Sequence, residues 1–185
     1  AGHQAIFEIK AICAIRHIKK VLIHSRNEKT VSKAMMELAS SGIFAEYADS
    51  ETVCRQADIL VTVTGAREAL FDAAWIKPGT HISAMGADQP GKRELPVELV
   101  LKSSLFADYP PQSRVNGEFE AAYGENPDLD ITAIGAVLVG EHDGRTDDDQ
   151  ITTCDSSGIA LQDLCVATAV LDIAIEQGLA QEVDF

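Results

Sequence analysis

Paired cysteines and long apolar runs are both missing from this 185-residue chain, and each absence excludes a class of protein. The four cysteines, Cys13, Cys54, Cys154 and Cys165, form no CxxC pair and stand beside no paired histidines, which argues against a zinc site and a disulfide framework. We interpret them as reduced thiols. No apolar run is long enough for a transmembrane helix, and no signal-peptide pattern opens the chain, so the sequence predicts a cytoplasmic protein.

Positive charge is also scarce. The chain has 15 Lys and Arg residues against 29 Asp and Glu residues, a formal net charge of −14. Nucleic acids and anionic membranes are bound by clustered Lys and Arg, so we expect neither as a partner and favour small molecules or other protein chains. The acidic run 147–149 lacks the spacing of a calcium loop and is interpreted as a solvated turn, which leaves no predicted metal site.

What the chain does contain is an alternation of short apolar strands with helices. This alternation predicts an α/β fold, a doubly wound parallel sheet of the Rossmann-like, three-layer αβα type. Residues 1–155 are expected to form this domain without its first strand, followed by a C-terminal helix within residues 156–185. The predicted strands are 20–24, 43–47, 59–63, 80–84, 105–109 and 151–154, and the predicted helices include 50–56, 96–102, 114–123, 131–139 and 156–178.

The N-terminus has half of a dinucleotide-binding turn. With Ala1 and Gly2 as the second and third members of Gly-x-Gly-x-x-Gly/Ala, Ala5 falls on the sixth position, where a small residue allows close helix packing. We therefore place the cofactor's phosphates at Ala1, Gly2, His3 and Gln4. Gly2 is equally compatible with an ordinary helix N-cap.

Two later strand ends also supply candidate cofactor contacts. Ser25, Arg26 and Asn27 follow the strand 20–24, where an acid would suit NAD(H) and an arginine suits the 2′-phosphate of NADP(H). This favours NADP(H), although a solvated surface arginine would give the same pattern. Thr62 and Thr64 end the strand 59–63 and either contact the cofactor or simply terminate the strand.

A single carboxylate stands in the loop after the strand 80–84. Gly86 is expected to break that strand by adopting positive φ, and Asp88 follows it before a Pro-Gly turn. Ligands of open α/β sheets bind beyond the carboxyl ends of the strands, so Asp88 is a site candidate. From the residues alone, it could equally be a turn or helix-cap aspartate.

The run 85–95 resembles the central signature of the ornithine cyclodeaminase/mu-crystallin family. Residues 2–5, 23–27 and 155–163 resemble further motifs in the family's order. The resemblance implies a cofactor domain of a two-domain, homodimeric subunit, in which the N-terminal substrate domain lies outside this sequence and the C-terminal helix packs back toward it. It also implies hydride exchange between the cofactor and the α-carbon of an amino acid or cyclic imine.

The same resemblance assigns roles to individual residues. Asp88 would handle protons at the amine or the attacking water, with a pKa that a closing cleft could raise toward neutrality. Ala84, Met85 and Gly86 would contact the nicotinamide, and Ser157 and Gly158 would lie near the cofactor on its other side. An alternative is a dinucleotide-binding scaffold without catalysis, as in the crystallin branch of the family.

Overall fold

Short strands and helices alternate along residues 2–183, the part of the chain that this computed structural model describes. Two helices begin with a side-chain N-cap: Asn27 and Asp49 each accept a hydrogen bond from a backbone N–H in the first turn of the helix that follows. The strands are β1 Val21–Ile23, β2 Ala45–Tyr47, β3 Ile59–Thr62, β4 His81–Ala84, β5 Ser104–Ala107, β6 Ile131–Ala133 and β7 Thr152–Asp155. The helices are α1 His3–Ile15, α2 Glu28–Ser40, α3 Ser50–Gln56, α4 Val97–Val100, α5 Pro110–Asn116, α6 Glu120–Glu125, α7 Ile134–Leu138 and α8 Ala160–Glu176, with a 3-10 turn at Ala73–Trp75.

All strand pairs are parallel, as the alternation predicts. β1 pairs with β2, and a separate five-stranded sheet has the order β3-β4-β7-β5-β6. Thr62 pairs with Ala84 and Ala84 with Asp155, so the carboxyl ends of β3, β4 and β7 lie level at one edge. The loops that follow β3, β4 and β7 therefore begin side by side at this edge of the sheet.

Apolar side chains form two separate clusters, one on each sheet. One cluster, with Leu60, Ile82 and Phe119 at its centre, packs the five-stranded sheet against α3, α4 and α6. The other joins Ile23 of β1 to Ile6 of α1 and to α2. Parallel strands with helices packed against them are the arrangement of the predicted doubly wound αβα fold, which is confirmed.

A cleft separates β1 from β3. Among residues 2–183 each of these two strands pairs on one side only, so their facing edges have no ladder partner. The cleft has a volume of about 160 Å³ and is lined by both strand edges and by α1. The gap matches the place of the first strand in the strand order 3-2-1-4-5-6, and the domain without that strand stays a prediction.

Two predictions of local structure are wrong. The predicted helix 114–123 begins earlier than expected, at Pro110, because proline suits the first helical turn. The segment 131–133 is strand β6, since it completes the edge of β5. The predicted helix 114–123 is split at Gly117, where a Cβ would collide with the Asp155 carboxylate and come within 2.8 Å of the Ser113 Cα.

The long C-terminal helix α8 is apolar around its circumference and has no buried residue. Leu161, Leu164, Val170 and Ile173 are all more than half exposed. None of the helices within residues 2–183 is long and apolar enough to cross a membrane. Packing of α8 against a further domain stays a prediction.

The four cysteines are unpaired; Cys54 is buried and Cys165 is exposed.

We expect the cleft to accept an added strand. An N-terminal extension of about five apolar β-branched residues followed by glycine should pair with both free edges and raise the midpoint of thermal unfolding by about 4–8 °C. Circular dichroism would measure the shift. The same extension with alternate residues replaced by proline cannot donate the ladder hydrogen bonds and should raise the midpoint little. Equal shifts for the two extensions would show that the cleft does not bind a strand.

Candidate functional site

The first turn of α1 has no side-chain cap. Gly2 precedes the helix in an extended conformation and no side chain caps the first turn, so the predicted phosphate-binding N–H groups have no side-chain acceptor among the described residues. The neighbouring cleft is lined by Gly2 and His3 together with Lys29 and Lys33. A helix N-terminus beside two ammonium groups suits an anion. Gln4 is close by, donating to Glu8 at 2.9 Å, and Ala1 lies outside the described residues.

The tip after β1 already has internal hydrogen bonds. Asn27 Oδ1 accepts from the Lys29 N–H at 3.0 Å, and Ser25 Oγ accepts from the Asn27 N–H at 3.4 Å. Arg26 is exposed and makes no hydrogen bond or ion pair within residues 2–183. Its guanidinium is thus the cationic group at this tip that is free to meet a ligand.

Thr62, the last residue of β3, and Thr64, two residues beyond it, differ in burial. Thr64 is exposed, and its Oγ1 accepts from the Ala66 N–H at 3.1 Å. Thr62 is only 5% exposed, and its hydroxyl has no hydrogen-bond partner among the described residues. Cofactor contact stays a prediction for both, and burial leaves the Thr62 side chain the less accessible of the two.

Gly86 is required for a reason that the sequence did not indicate. It does not adopt positive φ, in contrast to Gly91 in the same loop, which has φ of 72°. Instead, a Cβ at Gly86 would lie 2.5 Å from Glu94 Oε2 and still closer to the Thr64 carbonyl oxygen. The loop after Ala84 and Met85 is therefore packed directly against the end of β3.

Asp88 is at the surface of this loop. Its side chain is 54% exposed and receives a hydrogen bond from Lys92 Nζ at 2.5 Å. That hydrogen bond holds the pKa of Asp88 below its usual value of 3.8, the opposite of the expected direction. Asp88 is therefore accessible and ionised at neutral pH in this chain.

Three buried carboxyl groups lie beneath the Asp88 loop, and the sequence analysis missed all three as site residues. Glu94 Oε1 accepts from the Thr64 N–H at 2.6 Å. Glu118 accepts from the N–H groups of Glu94 and Leu95 at 2.7–2.9 Å. Asp155 Oδ2 accepts from the Glu118 N–H at 3.2 Å and from the Ser113 hydroxyl. The chain of bonds ties the ends of β3 and β7 to the loop after β4.

Burial changes the protonation of two of these carboxyls, Glu118 and Asp155. It raises the pKa of Glu118 to about 8, with backbone N–H donors opposing the shift and the charges of Glu94 and Asp155 adding to it. Burial likewise raises the pKa of Asp155 to about 7. The cluster therefore retains protons near neutral pH. The only sequence signal for it was that Glu94 and Glu118 each stand beside an apolar residue, which is too common to identify a buried acid.

The structure brings together some predicted residues and leaves others apart. The Ser156 N–H donates to the Ala84 carbonyl at 3.1 Å, which places Ser157 and Gly158 beside the end of β4. Ser25, Arg26 and the start of α1 belong instead to the part of the fold that lies across the cleft. Within residues 2–183 no group of three or more metal-binding side chains occurs.

A family model, that of the ornithine cyclodeaminase/mu-crystallin family, matches residues 1–178. The chain is 36% identical over 188 aligned positions to an alanine dehydrogenase of Archaeoglobus fulgidus, covering 100% of this chain and 58% of that protein.

Solved structures agree with the sequence comparison. An archaeal alanine dehydrogenase dimer with bound NAD superimposes with a TM-score of 0.93 at 36% identity, covering 100% of this chain and 58% of that one. A Δ1-pyrroline-2-carboxylate reductase of Thermococcus litoralis, in complex with NADH and L-proline, gives 0.93 at 29% identity, covering 99% and 58%. The chain thus spans somewhat more than half the length of these relatives.

The buried carboxyls make the stability of the chain pH-dependent. Because the folded-state pKa of Glu118 is raised from 4.5 to about 8, the folded state binds the extra proton between these values. The free energy of unfolding is therefore highest below the unfolded pKa, falls as the pH rises through this window and levels off above it. Glu118→Gln removes this titration and should flatten the fall between about pH 5 and about pH 9 by on the order of 2 kcal/mol.

Urea unfolding at a series of pH values would measure this effect. The matched control is Glu68→Gln, which changes an exposed carboxyl and should leave the wild-type profile intact. Parallel pH profiles for wild type and Glu118→Gln would contradict the assignment.

Proposed function

The chain belongs to the ornithine cyclodeaminase/mu-crystallin family, and from this premise we propose that it is the NAD(P)-binding part of an enzyme of amino-acid and imine chemistry. The observation that carries the proposal is the edge of the sheet where Asp88, an exposed carboxylate, stands beside the level ends of β3, β4 and β7. Ligands of open α/β sheets bind at this edge.

The residues divide into a phosphate end and a reacting end. The open start of α1, with Gly2 and His3, would hold the pyrophosphate, and Ala84, Met85 and Gly86 would line the nicotinamide. The bound cofactor supplies hydride exchange at the α-carbon of an amino acid or imine. Asp88 is ionised, so it would accept a proton from the amine or from a water and return it later.

A non-catalytic scaffold is the second candidate. One observation favours it: the hydrogen bond from Lys92 lowers the pKa of Asp88, and a carboxylate with a low pKa is a weak base.

The direction of the reaction and the oligomeric state belong to the same proposal. We infer a homodimer from the dimeric archaeal relative, and a cytoplasmic location from the four unpaired cysteines.

Arg26 should select NADP(H) over NAD(H). Its free guanidinium suits the 2′-phosphate, so Arg26→Ala should weaken NADPH binding about 10-fold and leave NADH binding unchanged. Fluorescence titration with both reduced cofactors would measure the two affinities. Arg55→Ala, which removes an arginine already paired with Glu51 on α3, is the control. Tighter binding of NADH than NADPH by the wild type would overturn the preference.

Asp88→Asn tests catalysis. In a fusion of this chain to the remaining portion of the Archaeoglobus relative, the substitution should lower turnover by roughly 10²- to 10⁴-fold, because it removes the basic oxygen while preserving the shape. Cofactor affinity should stay constant. Asp128→Asn, at an exposed loop position, should change neither quantity.

Lys92→Gln separates the catalytic and scaffold candidates further. Loss of the lysine raises the pKa of Asp88, so the acid limb of the pH-rate profile should move to higher pH. An Asp88→Asn enzyme with normal turnover would leave the scaffold as the better candidate.

A further inference from the structure

The segment 156–158, between β7 and α8, is held by hydrogen bonds to two side chains, Asp108 after β5 and Gln112 of α5. Asp108 Oδ2 accepts from the Ser156 hydroxyl and from the Gly158 N–H, both at 3.0 Å. Gln112 Nε2 donates to Ser157 Oγ at 3.0 Å and to the Gly158 carbonyl at 2.7 Å. Asp108 follows β5 and is itself held by the Tyr109 N–H, which donates to Oδ1 at 2.7 Å.

Little else restrains this segment. Two serines and a glycine have a high conformational entropy, and Gly158 adopts a φ of 82°, which only glycine reaches easily. The helix that follows, α8, has no buried residue to anchor it. Within residues 2–183 the other hydrogen bond to the segment is the one from the Ser156 N–H to Ala84.

The hydrogen bonds of Asp108 and Gln112 leave only some polar groups of the segment 156–158 free to bind a ligand. Both backbone groups of Gly158 are occupied, and Ser157 Oγ already accepts from Gln112. The Ser157 N–H and its hydroxyl hydrogen have no partner among the described residues. Apart from the carbonyl oxygens of Ser156 and Ser157, what remains is a pair of donors on Ser157 beside the end of β4, and a pair of donors fits an acceptor oxygen.

We propose that Asp108 and Gln112 are positioning residues for the nicotinamide half of the cofactor site, holding residues 156–158 so that Ser157 donates to the carboxamide oxygen of the nicotinamide. The proposal rests on the proposed function, because it requires that the nicotinamide lie at the end of β4. Neither residue touches the cofactor. Both act through the loop that they hold.

Isosteric variants exchange hydrogen-bond donors and acceptors at Asp108 and Gln112 without changing the size of either side chain. In Asp108→Asn, the new NH₂ faces either the Gly158 N–H or the Tyr109 N–H, so two donors oppose each other in both orientations of the amide. In Gln112→Glu, a carboxylate faces the Gly158 carbonyl, so two acceptors oppose each other. Each variant should release the segment while the sheet, whose ladders involve neither side chain, stays folded.

The experiment compares two ligands that differ only in the nicotinamide half. Wild type and variants are titrated with the reduced cofactor that the wild type binds more tightly, NADH or NADPH, and with its nicotinamide-free fragment, ADP-ribose or 2′-phospho-ADP-ribose. We expect each variant to raise the Kd for the whole cofactor about 10-fold and to leave the Kd for the fragment unchanged. The shift in fluorescence emission of the bound reduced nicotinamide should be lost in parallel.

Matched controls are Asp143→Asn and Gln181→Glu, which make the same chemical changes at exposed positions without side-chain hydrogen bonds in the described chain. Equal losses of affinity for the cofactor and for the fragment would show that the two residues have a general structural role. Unchanged affinity for both would show that their hydrogen bonds only position α8. Either result overturns the proposal while leaving the proposed function intact. A wild type that binds neither ligand overturns both.

Discussion

The hydrogen bond from the Thr64 N–H to the buried Glu94 carboxylate fastens the end of β3 to the loop after β4, and the rest of the candidate site depends on it. Gly86 must approach Glu94 too closely for any side chain. Glu118 in turn binds the backbone at Glu94 and Leu95, and Asp155 binds the backbone at Glu118. A single polar chain thus joins elements that are far apart in sequence, at the edge where ligands of this fold bind.

Such a chain is stable only because its donors and acceptors are matched. A buried ionised carboxyl is costly unless hydrogen bonds compensate its lost hydration. Here backbone N–H groups compensate part of that cost, and protonation of Glu118 and Asp155, whose pKa values are about 8 and 7, removes more of it. Asp88 is treated differently: it is exposed and paired with Lys92. The fold therefore buries Glu118 and Asp155, which retain protons near neutral pH, and leaves the candidate catalytic acid Asp88 charged and accessible.

Much of the architecture could be predicted from the sequence. Strand length and apolar content located β1, β3, β4 and β7 to within a residue or two, and the helix α3 was placed at its observed limits. These predictions succeeded because burial on both faces requires short apolar strands, and because caps such as Asn27 are local in sequence. The motif 85–95 likewise placed Asp88 in the loop after β4, because that loop is one continuous segment, and the catalytic role of Asp88 stays a prediction.

Tertiary structure alone decided the rest. β6 is a strand because the edge of β5 needs a partner, and α5 and α6 are separate helices because Gly117 packs on Asp155, a residue 38 positions further along the chain. The roles of Glu94, Glu118, Asp108 and Gln112 depend on contacts between separate strand ends, which periodicity cannot reveal. The sequence by itself determined most of the strands and the loop that carries Asp88. Only folding determined which acids are buried and which loops they hold, because burial and long-range hydrogen bonds are properties of the packed chain.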